Sequence, residues 1–205
     1  MSVVGRLHGR AVLNRRVRVL SERIAGLLPA NARVLDTGSG DGSVAALVQQ
    51  QRNDVDVTGI DVLVRPTTQI PVEQFDGTTV PYADASFDAV TLVDVLHHAD
   101  DPSVLLAEAG RVAPKAVIVK DHLADGLLAW PTLRAMDWVG NASYGVALPY
   151  NYWTAARWHQ AFEHQRLLVD TEITRLGLYP RPASWVFERR LHVLWRLRSS
   201  PAERG

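Results

Sequence analysis

Cysteine is absent from the 205-residue chain, which excludes disulfide bonds, thiolate metal sites and a cysteine nucleophile. Lysine is scarce as well, since the 22 basic residues include only two lysines, a bias of composition rather than of chemistry. No apolar run approaches the roughly 18–20 residues needed to span a bilayer. The N-terminus carries arginines but no apolar stretch with a small-residue cleavage site, so no secretory signal is expected. Neither charge sign is in excess, with 22 bases against 22 acids, but the distribution is uneven. Residues 1–24 and 181–205 are basic and the stretch between them is acidic, a pattern read as solvated helix faces rather than a grip on nucleic acid. With 47% apolar and 21% charged residues the chain is neither disordered nor fibrous. It reads as one soluble, cytoplasmic domain.

Aromatic residues are also missing from most of the first half. Only Phe75, Tyr82 and Phe87 precede residue 130, and all six Trp come from there onward. The early part is built from small residues. Val12, Leu13, Val17, Leu20, Ile24 and Leu27 recur at helical spacing, and Pro29 closes that helix. Short apolar runs follow at Arg33–Leu35, Val55–Ile60, Phe87–Val93 and Ala116–Val119, with a weaker strand ending near Phe75. Helical stretches at Ser43–Gln51 and Pro102–Val112 lie among them. Continuous apolar strands alternating with helices predict a parallel sheet covered on both faces. Beyond residue 153 a helix is expected from Thr154 to about Gln165, and β-like runs at 168–175 and 184–191.

The stretch Val34-Leu35-Asp36-Thr37-Gly38-Ser39-Gly40-Asp41-Gly42-Ser43 leaves a strand, places three glycines in five positions and enters a helix. Glycine there permits a tight turn and close backbone approach to a ligand, and the free N–H groups of a helix start favour electron-rich groups. Asp61 ends the next strand about twenty residues on, where a carboxylate would accept from a ribose diol. A dinucleotide fingerprint would need a third glycine at position 43, which is Ser43.

The alternate glycines after Asp36 resemble the motif of class I S-adenosylmethionine-dependent methyltransferases. Further segments extend the likeness: Gly59-Ile60-Asp61-Val62, Phe75-Asp76-Gly77 followed by Val80 to Val90, and Val93-Asp94-Val95-Leu96-His97-His98. The last of these resembles the small-molecule, type 11-like branch, and together they cover residues 34–120. The resemblance implies a doubly wound, Rossmann-like α/β fold with a seven-stranded, mostly parallel sheet and one antiparallel strand, the runs at 168–175 and 184–191 being the last two strands. It implies S-adenosyl-L-methionine as cofactor, with S-adenosyl-L-homocysteine as product. Asp36 would order the loop and face the methionine portion, and Gly38, Ser39, Gly40 and Gly42 would allow backbone approach. Asp61 and Val62 would meet the ribose, Asp76 and Gly77 the adenine, and Asp94 would line the same cleft. Residues 1–205 would form a single methyltransferase domain, with 1–29 an N-terminal helical segment and 123–153 an aromatic-rich insertion covering the substrate.

Methyl transfer is an in-line displacement that needs an aligned acceptor, a dry site and, for hydroxyls, a base. His122 is favoured as that base, with His97 as the other candidate; His97 and His98 are adjacent in a turn and cannot both point at one ligand. Trp130, Tyr144, Tyr150, Tyr152 and Trp153 are the candidate acceptor contacts, flat side chains suited to an aromatic or apolar small molecule. These aromatics serve equally well as the core of the smaller half or as a homodimer interface. No metal is expected, although Asp94 and the Asp121-His122 pair stand where catechol-type O-methyltransferases carry metal-binding acids. No nucleic-acid partner is expected, because the Asn- or Asp-Pro-Pro-aromatic motif of amino-methylating enzymes is replaced by Asp94-Val95-Leu96-His97. An RNA or protein methyltransferase, or an inactive cofactor-binding partner subunit, is the alternative.

Overall fold

The computed structural model describes residues 3–141, 150–188 and 190–200. The chain runs α1 (Val3–Ala25), β1 (Arg33–Thr37), α2 (Ser43–Gln51), β2 (Asp56–Asp61), β3 (Val72–Gln74) and β4 (Ala89–Val93). A single 3-10 turn (Leu96–His98) leads to α3 (Pro102–Val112), β5 (Val117–His122), α4 (Ala129–Asn141), α5 (Ala155–His164), β6 (Leu167–Ile173), the short α6 (Ser184–Phe187) and β7 (His192–Ser199). No helix among the described residues is long and apolar enough to cross a membrane.

The seven strands lie in the order β3-β2-β1-β4-β5-β7-β6. Neighbours are parallel from β3 through β5, and β7 is antiparallel to both β5 and β6, so one strand runs against the rest. Strand order reverses between β1 and β4, and the crevice outside the carboxyl ends of the strands at such a reversal is where open α/β sheets take ligands.

The two-residue period of buried strands sorts side chains onto two cores. Val117 and Val119 of β5 pack with Leu105 and Leu106 of α3 and with Trp158 and Phe162 of α5. Ile118 packs on the opposite side with Leu20 and Ile24 of α1 and Ala45, Ala46 and Val48 of α2. The same alternation carries Lys120 to the α1 side of the sheet. Helix starts follow their side chains: Asp101 accepts from the Ser103 N–H ahead of Pro102, and Thr154 accepts from the Arg157 N–H.

Two expectations need correction, and a segment the sequence left open takes a definite form. The run at 184–191 is not the last strand; its Ser184–Phe187 part is a short helix with Trp185 and Val186 exposed, and β7 begins at His192. Apolar character alone did not separate the two, whereas Leu191–Trp195 and Leu197 are all buried. β5 also runs past the apolar residues to include Lys120, Asp121 and His122, because the polar tail still pairs with His192–Leu194 of β7. Within 123–153, Ala129–Asn141 is helical, with Pro131 tolerated in its first turn.

Candidate functional site

The glycine loop leaves β1 at the reversal point. Gly38, Gly40 and Gly42 all take positive φ, at 74°, 60° and 74°. A Cβ on Gly38 would collide with the Val95 side chain, and one on Gly42 would come within 2.7 Å of Ile70, so both glycines are demanded by packing. A Cβ on Gly40 would meet nothing within 4 Å. Its backbone faces open space, as a cradle for a ligand requires. Ser39 Oγ donates to the Asp36 carbonyl at 2.7 Å and pins the loop.

Two carboxylates frame that cradle. The Gly40 N–H donates to Asp61 Oδ2 at 2.8 Å and the Leu63 N–H to Asp61 Oδ1 at 2.9 Å. A carboxylate has about four lone-pair sites, so Asp61 keeps capacity for a diol. Asp36 is buried and accepts the Thr91 hydroxyl at 2.5 Å across β1 and β4. Burial pushes its carboxyl up to about 6; hydrogen bonds from Thr91 and Ser39 restrain the rise and the Asp61 charge adds to it. Asp76 spends one oxygen on the Thr78 and Thr79 N–H groups, which hold its carboxyl below the usual range. Gly77 sits against Val62, whose Cγ1 lies 2.9 Å from where a Cβ on Gly77 would be. The residues present therefore fit an adenosyl cofactor: a glycine cradle, an acid with lone pairs to spare for a diol and a loop beyond it.

At the far side of the reversal point the ends of β4 and β5 bring together a buried polar network. Asp94, in the left-handed backbone region at φ 56°, accepts from Arg16 Nη2 of α1 at 2.5 Å and from Lys120 Nζ. Its carboxylate is thus held by two cations. Burial works to raise its pKa, but Lys120 and Arg16 outweigh it and hold Asp94 well below the usual carboxylate range. His97 Nδ1 and Asp121 Oδ1 are 2.8 Å apart, both side chains fully buried. His122 packs edge-on to His97, with centroids 4.7 Å apart, and its Nδ1 lies 3.5 Å from Asp121 Oδ1 and 3.7 Å from Asp94 Oδ1. Burial first, and then the Lys120 charge, pushes His122 down to about 4, against the pull of Asp121 and Asp94. That direction favours the neutral imidazole. Nδ1 makes no hydrogen bond, but the two negative charges it faces favour a ring hydrogen there, which leaves Nε2 as the basic nitrogen.

One donor atom each from His97, Asp121 and His122 lies within 4.8 Å of the others. His97 and Asp121 are already hydrogen-bonded to each other and Lys120 stands on the same network through Asp94, so the trio is read as a proton-holding cluster and no metal is assigned to it.

The candidate acceptor residues divide. Tyr152 is buried against both histidines, with ring centroids 5.6 Å from His97 and 5.9 Å from His122, and its hydroxyl donates to the Leu133 carbonyl at 3.3 Å. Tyr150 lies beside it, and Arg134 stacks over both Tyr150 and the half-exposed Trp130. Trp153 does not join them: it is buried in the main core, 4.7 Å from Trp158 between β5 and α5. Tyr144 lies outside the described residues. Lys120, Arg16 and His192 were not singled out in the sequence; the available signal was a lone lysine closing an apolar strand directly before Asp-His.

Residues 8–172 match the family described as methyltransferase domain. The 27-O-demethylrifamycin SV methyltransferase of Amycolatopsis mediterranei is 34% identical over 117 residues, half of this chain and 43% of that protein. The ubiquinone/menaquinone biosynthesis C-methyltransferase UbiE of Desulfotalea psychrophila is 34% identical over 94 residues, 41% of this chain and 38% of that protein. The chain thus spans less than half the length of these curated relatives. Among solved structures, a putative methyltransferase in complex with the Haloferax volcanii Trm112 methyltransferase activator superposes with a TM-score of 0.66 at 15% identity, covering 88% of this chain and 89% of that one. At that identity the likeness concerns the fold. The family match, spanning most of the chain and joined to the glycine cradle and its acids, means that this protein belongs to the class I S-adenosylmethionine-dependent methyltransferases.

Proposed function

We propose that the chain transfers a methyl group to a hydroxyl of a small, flat organic acceptor, with His122 taking the hydroxyl proton. The observation that carries this reading is the placement of His122 at the end of β5, with a carboxylate network on one side and Tyr152, itself backed by Tyr150, on the other. When bound, S-adenosylmethionine supplies an electrophilic methyl on a sulfonium, so the remaining work is to align the acceptor, exclude water and remove a proton. The Gly38–Gly42 loop, Asp61 and Asp36 would hold the cofactor, and Asp76 and Gly77 its base. His97, tied to Asp121, supports the His122 ring rather than competing for the acceptor. By their names the rifamycin relative acts at oxygen and UbiE at carbon, so the choice of oxygen rests on His122 rather than on the relatives.

Cofactor placement is checked by calorimetry. Asp61→Ala is expected to weaken S-adenosylmethionine binding by roughly 1.5–3 kcal/mol, the range for hydrogen bonds to a charged group. Tighter binding of a nicotinamide nucleotide would overturn the assignment. Acceptor class is checked by incubating the protein with methyl-labelled cofactor and a small-molecule metabolite extract. Label in an organic-extractable product, released as a methyl ether, supports the reading. Label on carbon, or only in added RNA or protein, refutes it. Tight cofactor binding with no label transferred to any pool would make the chain a partner subunit.

A further inference from the structure

Two carboxylates and a lysine ammonium crowd the buried ring of His122. Two carboxylate oxygens lie near its Nδ1, Asp94 Oδ1 at 3.7 Å and Asp121 Oδ1 at 3.5 Å, and both are beyond hydrogen-bond reach. Each is already engaged. Asp94 Oδ1 accepts from Lys120 Nζ, while Asp94 Oδ2 accepts from Arg16. Asp121 Oδ1 accepts from His97 and from the backbone N–H of His122 itself at 2.7 Å. A proton added at Nε2 would make His122 a further buried cation beside Lys120, next to carboxylates that already accept from Lys120, Arg16 and His97.

Lys120 is the unexpected member of this set. It is fully buried in the middle of the sheet, where a charge costs several kcal/mol unless paired, and an apolar side chain of the same length would fill the space without that cost. Burial draws its pKa below the usual lysine range, and Asp94 restrains the fall. Its Nζ also lies 3.3 Å from His192 Nδ1. An ammonium only donates, so His192 Nδ1 is the acceptor there and the ring hydrogen of His192 sits on Nε2. The His192 ring is in turn 5.0 Å from that of His122.

We infer that Lys120 is a positioning residue, which by occupying Asp94 Oδ1 and fixing the tautomer of His192 keeps His122 an unprotonated imidazole. The groups facing His122 are Asp94 beyond β4, His97 of the 3-10 turn, Lys120 and Asp121 of β5, His192 of β7 and Tyr152 before α5, with Arg16 of α1 behind Asp94. Lys120 is the one cation among them that lies on the same strand face as His122, and it bonds Asp94 Oδ1, the second of the two carboxylate oxygens near the His122 ring. The catalytic meaning of this device rests on His122 being the base, but the device itself does not.

The test is an imidazole titration by NMR on histidine-labelled full-length protein, without acceptor. In the wild type, His122 should stay neutral at pH 6–7 with its hydrogen on Nδ1, and His192 should carry its hydrogen on Nε2. In Lys120→Met the His122 midpoint should rise by about one pH unit or more, as expected when a neighbouring like charge is removed. Lys120→Arg should keep it near the wild-type value. If the Met variant fails to fold, Lys120→Gln, whose amide still donates to Asp94, makes the same measurement. A charged His122 at pH 7 in the wild type, a His192 with its hydrogen on Nδ1, or an unmoved midpoint in the neutral variants overturns the inference. In the activity assay the acid limb of kcat should move with the midpoint while KM stays. A midpoint that moves without the limb upholds the role of Lys120 and removes His122 as base.

Discussion

Replacing His122 by alanine is expected to cut turnover on a hydroxyl acceptor by roughly two to four orders of magnitude, the usual contribution of a positioned base, with cofactor affinity unchanged. The cofactor side of the site is built on other strands: the loop after β1 and Asp61 at the end of β2 are tied to each other, not to His122. The backbone of His122 also keeps its job in the variant, because its carbonyl accepts the Trp158 indole N–H at 3.1 Å whatever the side chain. The pH profile gives the sharper check. A base works only when unprotonated, and burial together with the Lys120 charge holds His122 at about 4. The wild-type rate should therefore be level through the neutral range and fall only as pH drops toward that value. His122→Asn, which keeps a polar group of similar size, should lose turnover like the alanine variant. A rate that survives in both variants takes His122 out of the chemistry.

The parts of the fold legible in the sequence were those where one local rule governs. Ser43–Gln51 and Pro102–Val112 form helices between the expected residues, since a glycine turn starts the first and an Asp-Pro cap the second. The Asp36–Gly42 loop and Asp61 meet as expected, because both stand at strand ends brought together by a parallel β1–β2 pair. The polar network was not legible, because none of its contacts is local. Arg16 reaches Asp94 from 78 positions away, and His192 meets Lys120 across 72. The last strand was misplaced for a related reason: Trp185 and Val186 look like core residues in a window of sequence, yet they stay exposed on a short helix, and the pairing that makes His192–Ser199 a strand is with β5 and β6. Trp153 stands in an aromatic-rich stretch that suits either an acceptor contact or a core, and the position of α5 makes it core.

Asparagine at position 36 is expected to stabilise the ligand-free fold at neutral pH and at the same time to weaken cofactor binding. Burial raises the Asp36 carboxyl to about 6, whereas in the unfolded chain it has its ordinary value near 3.8. Between those values the folded state holds a proton that the unfolded state releases, so the contribution of this group to stability falls as pH rises through the window. Above about pH 6 the whole penalty is present, on the order of 2–3 kcal/mol for a shift of about two units. The substituted side chain would carry no charge, and its amide oxygen could still accept the Thr91 hydroxyl. Urea denaturation should therefore find Asp36→Asn more stable than wild type at pH 8, with the difference shrinking toward pH 4. Binding reverses the preference. The cofactor brings a positively charged methionine end, and in the proposed role the buried carboxylate is its counter-charge. Association would then pull the proton off Asp36, so wild-type affinity should rise from pH 5 to 7 and level off, with protons released to the buffer on the acid side. The asparagine variant should bind more weakly, by roughly 1.5–3 kcal/mol, and without that pH dependence. A variant that is stabilised and still binds as tightly would separate Asp36 from the cofactor; one that is destabilised at pH 8 would show that the bond to Thr91 outweighs the cost of burying the carboxylate.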